Sequence, residues 1–564
     1  MRLLSKIYTK KILSLFMVLT SFTAVSLSCN ADEVANASKA DKAKNVIFIL
    51  TDDQRYDEVG FLNANIHTPN IDKLAQEGVH FKNAFVTTSL CSPSRATILT
   101  GQYMHNHGVV DNNRAAKKGL RYFPQYLQQA GYSTAFFGKW HMGGHGDDKQ
   151  PGFDHWVSFA GQGEYYPSIT NGKTNTLNVN GEDVPQKGYI TDELTDYALD
   201  WLEQQKGPQL IDTQQNDNVT VDQQDKKKPF FAYLSHKAVH AMFKPAPRHE
   251  EQYTDVVIPM PSSQLDNSDN YQDKPMWVKN QRNSWHGVDF PYHSALDIQE
   301  YKRQYHRTLS AVDDSVGRLL NWLKENDLAE DTVVILMGDN GFMFGEHGLI
   351  DKRNAYEESM RVPMFAYAPG HFPSGKVVTQ MVANLDIAPT ILALAGVAPP
   401  KQFEGQSMLP LVMKDNVDDW RDSFLYEYYW EFNYPSTPTT FALRTDKFKY
   451  IQYHGVWDLE ELYDIENDPK EMHNLIYQPE HFSRVVEMRN KLFQQLANNQ
   501  GQRSVPFNRK FNHGAVFRES ARSRAAEYPD TWLRKGTDKD LTNFFYPDEM
   551  RLNTDKNKLA PAGH

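Results

Sequence analysis

Apolar residues follow two rhythms along this chain. Unbroken β-rich runs at 45–50, 133–137, 229–234 and 332–337 predict buried strands. Between them, apolar positions three and four apart predict helices. One spans 68–78 and closes on Gly78; the next opens with Ser92 as N-cap and Pro93 in its first turn, and stops at Gly101. Further helices are expected at 122–130, at 191–204 with Thr191 as cap, at 298–326 and at 385–395. Strands alternating with helices imply a mostly parallel sheet covered on both faces.

Past about residue 415 the texture changes. Runs at 424–430 and 448–453 predict a small antiparallel sheet, and 481–499 a closing helix. The polar stretch 205–228 reads as an exposed excursion. Residues 256–298 carry no clear period and are expected to form a long loop containing Trp285 and His286. The fold class is therefore α/β: a large mixed, mostly parallel sheet sandwiched by helices, with a smaller C-terminal antiparallel subdomain. The expected divisions are 1–29 as a signal peptide, 43–415 as a catalytic domain, 416–505 as an α+β subdomain and 506–564 as an extension.

The N-terminus carries Arg2, Lys6, Lys10 and Lys11 ahead of an apolar run at 12–25, the pattern of a secretory signal. That run is short for a membrane span. Cys29 follows small residues. Two outcomes stay open: lipid attachment at Cys29 after cleavage, or ordinary cleavage nearby. Either implies export, to the periplasm or to a lipid-anchored position on a membrane.

The chain has 564 residues, 40% apolar and 23% charged, with a net charge of -11. This balance argues against a nucleic-acid partner. There are two cysteines, too few for a disulfide framework. With Cys29 removed or lipidated, Cys91 stands alone.

Chemistry collects at the strand ends. The four strongest strands run into Asp52-Asp53, Gly138-Lys-Trp-His141, a segment with His236 and His240, and Gly338-Asp-Asn-Gly341. Open parallel sheets deliver ligands at their carboxyl ends. Asp52, Asp53, Asp339 and Asn340 offer only oxygen donors, which suit calcium or magnesium and not zinc. Cys91 sits at a helix start, where backbone N–H groups and the dipole attract anions.

The run Cys91-Ser-Pro-Ser-Arg-Ala-Thr-Ile-Leu-Thr-Gly101 resembles the signature of the formylglycine-dependent sulfatases, within the alkaline phosphatase superfamily. The resemblance extends to Asp52-Asp53, Gly138 to His141, Gly338 to Gly341, Asp351-Lys352, and Leu462 to Pro469 followed by Asn474-Leu475, over residues 43–500. It implies that a separate maturation enzyme oxidises Cys91 to formylglycine (3-oxoalanine). It also implies one calcium ion, with magnesium the lesser choice, held by Asp52, Asp53, Asp339, Asn340 and the modified Cys91. One hydroxyl of the hydrated aldehyde would attack sulfur; the other would later release sulfate.

The same resemblance assigns the remaining roles. Arg95 would hold the hydroxyls and carboxylates, and Lys139 and Lys352 would bind sulfate oxygens. His240, with His236 as its rival, would protonate the leaving alcohol. His141 would assist at position 91 or contact sulfate, and His107 would tune its surroundings. Substrate contacts are sought among His107, Asp111, Asn113, Arg114, His145, Trp285, His286, Arg444 and Trp457. The expected substrate is a sulfated polysaccharide or oligosaccharide, an algal polymer such as ulvan first and a glycosaminoglycan second. A phosphoesterase of the same superfamily would use Ser or Thr where this chain has Cys91. A non-catalytic surface glycan-binding protein would not need the full set of catalytic residues.

Overall fold

The computed structural model describes residues 45–113, 116–142, 146–170, 173–206, 228–289, 297–431, 433–454 and 459–499. The signal segment, Cys29, most of the 205–228 excursion, Arg114, His145, Trp457 and the 506–564 extension lie outside the described residues.

The main sheet has ten strands: β1 (Asn45–Thr51), β2 (Val79–Phe81), β3 (Ser133–Gly138), β4 (His155–Ser158), β5 (Thr176–Val179), β6 (Glu182–Pro185), β7 (Phe230–Ser235), β8 (Thr332–Gly338), β9 (Met364–Tyr367) and β10 (Lys376–Val378). Their spatial order is β10-β2-β9-β8-β1-β7-β3-β4-β5-β6. The five central strands β8, β1, β7, β3 and β4 are mutually parallel. Antiparallel pairings at β8–β9 and β4–β5 make the sheet mixed.

All seven residues of β1 are buried, and its side chains alternate between two cores. Ile47 and Ile49 pack on one face with Leu194, Leu202, Leu309 and Leu319. Those leucines come from α4 (Ile190–Gln204) and the 28-residue α5 (Ile298–Glu325). Val46, Phe48 and Leu50 pack on the other face with Ile98, Leu127 and Ile391. These belong to α2 (Cys91–Thr100), α3 (Phe123–Gln129) and α6 (Ile387–Leu394). An earlier helix, α1, spans Pro69–Gln76. Truncating a β1 isoleucine to Ala should cost roughly 2–5 kcal/mol, since neither face can collapse onto solvent.

A second sheet contains β11 (Ser423–Tyr428), β12 (Thr439–Thr445), β13 (Phe448–His454) and β14 (Glu460–Asp464), antiparallel in that order. Helix α7 (Phe482–Asn498) closes one face with Val485, Met488 and Leu492.

Three expectations need correction. Helix α2 begins at Cys91 with Leu90 as its extended N-cap, so Ser92 lies inside the first turn. Tyr189 and not Thr191 caps α4, and Thr191 is buried in its first turn. The stretch 256–298 holds short helices at Ser268–Tyr271, capped by the Asn267 side chain, and Met276–Asn280, both too short to leave a period.

Candidate active site

Strand register brings the polar tails to one edge. Thr51 pairs level with Gly338, Leu50 with Ser235, and Ser235 with Gly138. Glycine is required at position 138: its φ is +113°, and an added Cβ would lie 1.9 Å from the Ser235 carbonyl. That close approach lets Lys139 leave the sheet beside Asp52. Helix α2 enters from the second core and presents Cys91 to the same point. No side chain caps α2 from Leu90; Asn112 instead accepts from the Ser92 N–H at 3.0 Å.

The Cys91 thiol donates to Asp52 Oδ1 at 3.4 Å and accepts from Lys352 Nζ at 3.1 Å. Lys352 also pairs with Asp53, and Lys139 with Asp52 and with the Gln162 side-chain oxygen. Arg95 grips Asp339 Oδ2 through Nε at 3.0 Å and Nη2 at 2.9 Å. Its Nη1 donates to the Lys139 carbonyl at 2.7 Å and to Ser235 Oγ at 2.6 Å. The Asp53 N–H donates to Asp339 Oδ1 at 3.0 Å, and Asn340 Nδ2 donates to Asp53 at 2.7 Å. Asp53 takes a left-handed backbone, φ +58°, uncommon for a residue other than glycine. All of these side chains are buried except Gln162, which is half-buried.

Electrostatics here is unequal. Burial opposes ionisation of Asp52, but the charges of Lys139, Arg95 and Lys352 hold its carboxyl well below the usual range. Burial, then the charge of Asp52, pushes Asp339 up to about 7. Burial raises Asp53 too, against Lys352. Burial, then Asp52, pushes the Cys91 thiol up to about 12, so it is held neutral and is a poor nucleophile as it stands.

Oxygens of Asp52, Asp53 and Asp339 lie within 4.8 Å of one another. Asn340 Oδ1 is buried with no hydrogen-bond partner among the described residues. Three crowded carboxylates and an orphaned amide oxygen form an all-oxygen donor set. It fits a hard divalent cation, whose charge would relieve the repulsion that raises Asp339.

Residues 44–397 match the Sulfatase family model, and 345–499 match N-sulphoglucosamine sulphohydrolase, C-terminal. The chain belongs to the sulfatase family. It is 31% identical over 516 residues to an N-acetylglucosamine-6-O-sulfatase of Bacteroides thetaiotaomicron, covering 80% of this chain and 86% of that one. A solved structure holding its substrate D-glucosamine-2-N,6-O-disulfate superposes with a TM-score of 0.71 at 30% identity, over 82% of this chain and 99% of the other. A second, bound to a neocarrahexaose, gives 0.63 at 25% identity, over 81% and 94%.

In this sulfatase the two rival histidines part company. His236 is fully buried, with Nε2 3.1 Å from Ser315 Oγ. His240 lies with Nε2 3.8 Å from Asp53 Oδ2, its side chain 15% exposed, so it alone of the pair joins the cluster to the outside. Burial, then the Lys139 charge, holds it well below its usual range. His141 takes a left-handed backbone, φ +51°, with Nδ1 3.5 Å from Ser92 Oγ, whose hydroxyl donates to the His141 carbonyl.

Other expected residues fall elsewhere. His107 contacts Thr97 Oγ1 at 3.1 Å and accepts from the Val109 N–H at 3.1 Å; it is a clamp on α2, one layer behind Cys91. Arg444 is removed from the substrate candidates. Its guanidinium is engaged by Glu357 at 3.3 Å and by the Thr445 carbonyl at 2.5 Å, inside the joint between the sheets. Trp285 is half-buried next to His286, whose Nδ1 is 3.2 Å from Asp351, the neighbour of Lys352. Asp111 is buried and accepts from the Asn113 N–H at 2.9 Å; Asn113 reaches Asn433 at 3.2 Å. Gln162, Asn112 and Ser235 escaped the sequence reading. Only the Gly161-Gln-Gly163 pattern, a polar side chain between two turn-forming residues, offered a signal.

Proposed function

We propose that this sulfatase hydrolyses the sulfate ester of a sulfated amino sugar of glycosaminoglycan type, using formylglycine made from Cys91 and one calcium ion. The observation that carries the reading is the seat of Cys91: the first residue of α2, 3.4 Å from Asp52 and 3.1 Å from Lys352. The thiol sulfur stands where the hydroxyl oxygens of hydrated formylglycine would lie. That residue would supply a nucleophilic oxygen and a second hydroxyl through which sulfate is released. The cation would be held by Asp52, Asp53, Asp339 and Asn340, and would polarise sulfate oxygens.

The chain's own groups do the rest. Arg95 fixes Asp339 and the Lys139 carbonyl, which keeps the cluster in register. Lys139 and Lys352 turn their remaining N–H groups to sulfate and offset charge in the transition state. His240 is the group placed to protonate the departing alcohol. Its neutral resting state fits a role in which the negative charge of the incoming sulfate ester raises its proton affinity. His141 lines the wall beside position 91. On this reading 43–415 is the catalytic unit and 416–505 a C-terminal α+β subdomain. Export through the N-terminal segment would bring the enzyme to its glycan; no helix among the described residues is long and apolar enough to cross a membrane.

Support for an amino sugar comes from the relatives named above, two of which are defined by glucosamine sulfates. The neocarrahexaose complex keeps an algal polymer such as ulvan as the second reading. The test is sulfate release by protein co-produced with a formylglycine-generating enzyme, alongside the mass of the Cys91 peptide. Release from N-acetylglucosamine-6-sulfate is expected. Release from ulvan or carrageenan oligosaccharides alone would transfer the reading to algal glycans. Turnover of small aryl sulfates alone would defeat both. Full activity with an unmodified thiol would defeat the role of Cys91.

A further inference from the structure

Lys139 carries three N–H donors on its ammonium. Asp52 takes one and the Gln162 side-chain oxygen takes another, from opposite elements. Gln162 reaches the site because the backbone turns on either side of it: Gly161 has φ +59° and Gly163 φ +66°. A Cβ on Gly163 would lie 2.5 Å from the Phe159 ring, so the turn is closely packed. The same short segment is tied twice more. Lys237 Nζ donates to the Gln162 carbonyl at 3.2 Å and lies 4.8 Å over the Tyr165 ring. The Tyr165 hydroxyl donates to the His240 carbonyl at 2.7 Å. One strap, residues 161–165, thus touches both the lysine and the backbone of the histidine.

We infer that Gln162 is the positioning residue of Lys139: its neutral amide oxygen holds the ammonium so that the third N–H is aimed at a sulfate oxygen. The choice of an amide has a physical reason. A second carboxylate would orient Lys139 equally well, but it would cancel the cation's charge and repel sulfate. An apolar side chain would leave the ammonium free to swing about its flexible stem, and misplacement of a transition-state donor is costly. The inference rests on the reading of Lys139 as a sulfate ligand.

The experiment compares Gln162→Met, Gln162→Glu and Lys139→Ala in the full-length matured enzyme, with KM and kcat measured on N-acetylglucosamine-6-sulfate and inhibition measured with inorganic sulfate. Q162M should lower kcat about 10- to 100-fold. Q162E restores the acceptor, so it should recover about tenfold of that loss while KM and the inhibition constant for sulfate both rise. Wild-type kinetics in Q162M would overturn the assignment. So would equal losses in Q162M and Q162E, which a purely structural role would give. Q162N, which withdraws the amide by one methylene, supplies the same comparison should the Met variant not fold. An active K139A would overturn the reading of Lys139 itself, whereas an inactive K139A beside a normal Q162M would overturn only the role of Gln162.

Discussion

The acidic groups at the strand ends and a second set between the two sheets are buried alike, yet they are built to different ends. In the second set, ligand atoms of His347, Glu358 and Glu471 also come within 4.8 Å of one another. There Glu471 forms an ion pair with Lys449 at 2.7 Å and accepts from the Glu357 N–H at 2.8 Å. Lys449 also reaches Glu357 at 3.0 Å, and Lys274 lies 2.9 Å from His347 Nδ1. The His347 ring stacks on Tyr356 at 3.9 Å. These groups bind the 345–358 segment to the second sheet. The first set is centred on a thiol and reaches solvent through His240. A buried charge cluster with a histidine at its edge and an opening to solvent can exchange protons. A sealed cluster can only hold its neighbours.

That contrast can be broken in four ways. The largest effect is expected for Cys91→Ala, which should cut sulfate release at least ~10⁴-fold and leave the melting temperature near that of the parent. A loss of stability as large as the loss of activity would make position 91 structural. Lys449→Met should do the opposite. It strands Glu471 in the interior, leaves Glu357 to Arg444 alone, and should cost about 3–5 kcal/mol in denaturant unfolding, with kcat/KM within about threefold below the melting point. Unchanged stability would show that the second cluster does not hold the sheets together.

A third test uses pH. His105 meets Glu427 of β11 at 2.8 Å and the Asn499 carbonyl at 2.7 Å. Burial opposes its charge, but Glu427 raises it from 6.5 to about 9. A raised pKa in the folded state contributes stability that is fully present below pH 6.5 and lost as pH climbs through about 9. On the order of 3 kcal/mol should disappear across that window, and the slope should vanish in His105→Gln. A flat profile in the parent would refute the pairing. The smallest effect is that of calcium. At a hundred times its Kd it should stabilise the parent and K449M by about 2.7 kcal/mol, and Asp339→Asn much less. Equal stabilisation of all three would move the ion away from the strand ends.

Most of the first cluster was legible in the chain because each part is a short string beside a strong local signal. Asp52-Asp53 and Asp339-Asn340 follow apolar strands, and Cys91 opens a helix that ends at Gly101. The second cluster was not legible. Glu357, Lys449 and Glu471 stand in segments more than 20 residues apart, with no pattern around them that distinguishes them from surface charges. Gln162 was missed for the same reason: nothing near it in the chain mentions Lys139. The choice of His240 over His236 needed the turn after β7, which sends one ring toward Asp53 and the other toward Ser315.

Periodicity and strand-end composition alone determined the layered α/β architecture and the small second sheet, and the motif at Cys91–Gly101 pointed to the sulfatase family. The architecture and the sheet depend on local propensity and on which face of a strand or helix is apolar. Tertiary structure alone decided which histidine enters the site, that Arg444 is an internal ion-pair partner, and that Gln162 shares Lys139 with Asp52. Those outcomes depend on strand register and on how distant loops pack over the strand ends, which bring residues many positions apart together and leave no trace in the local pattern.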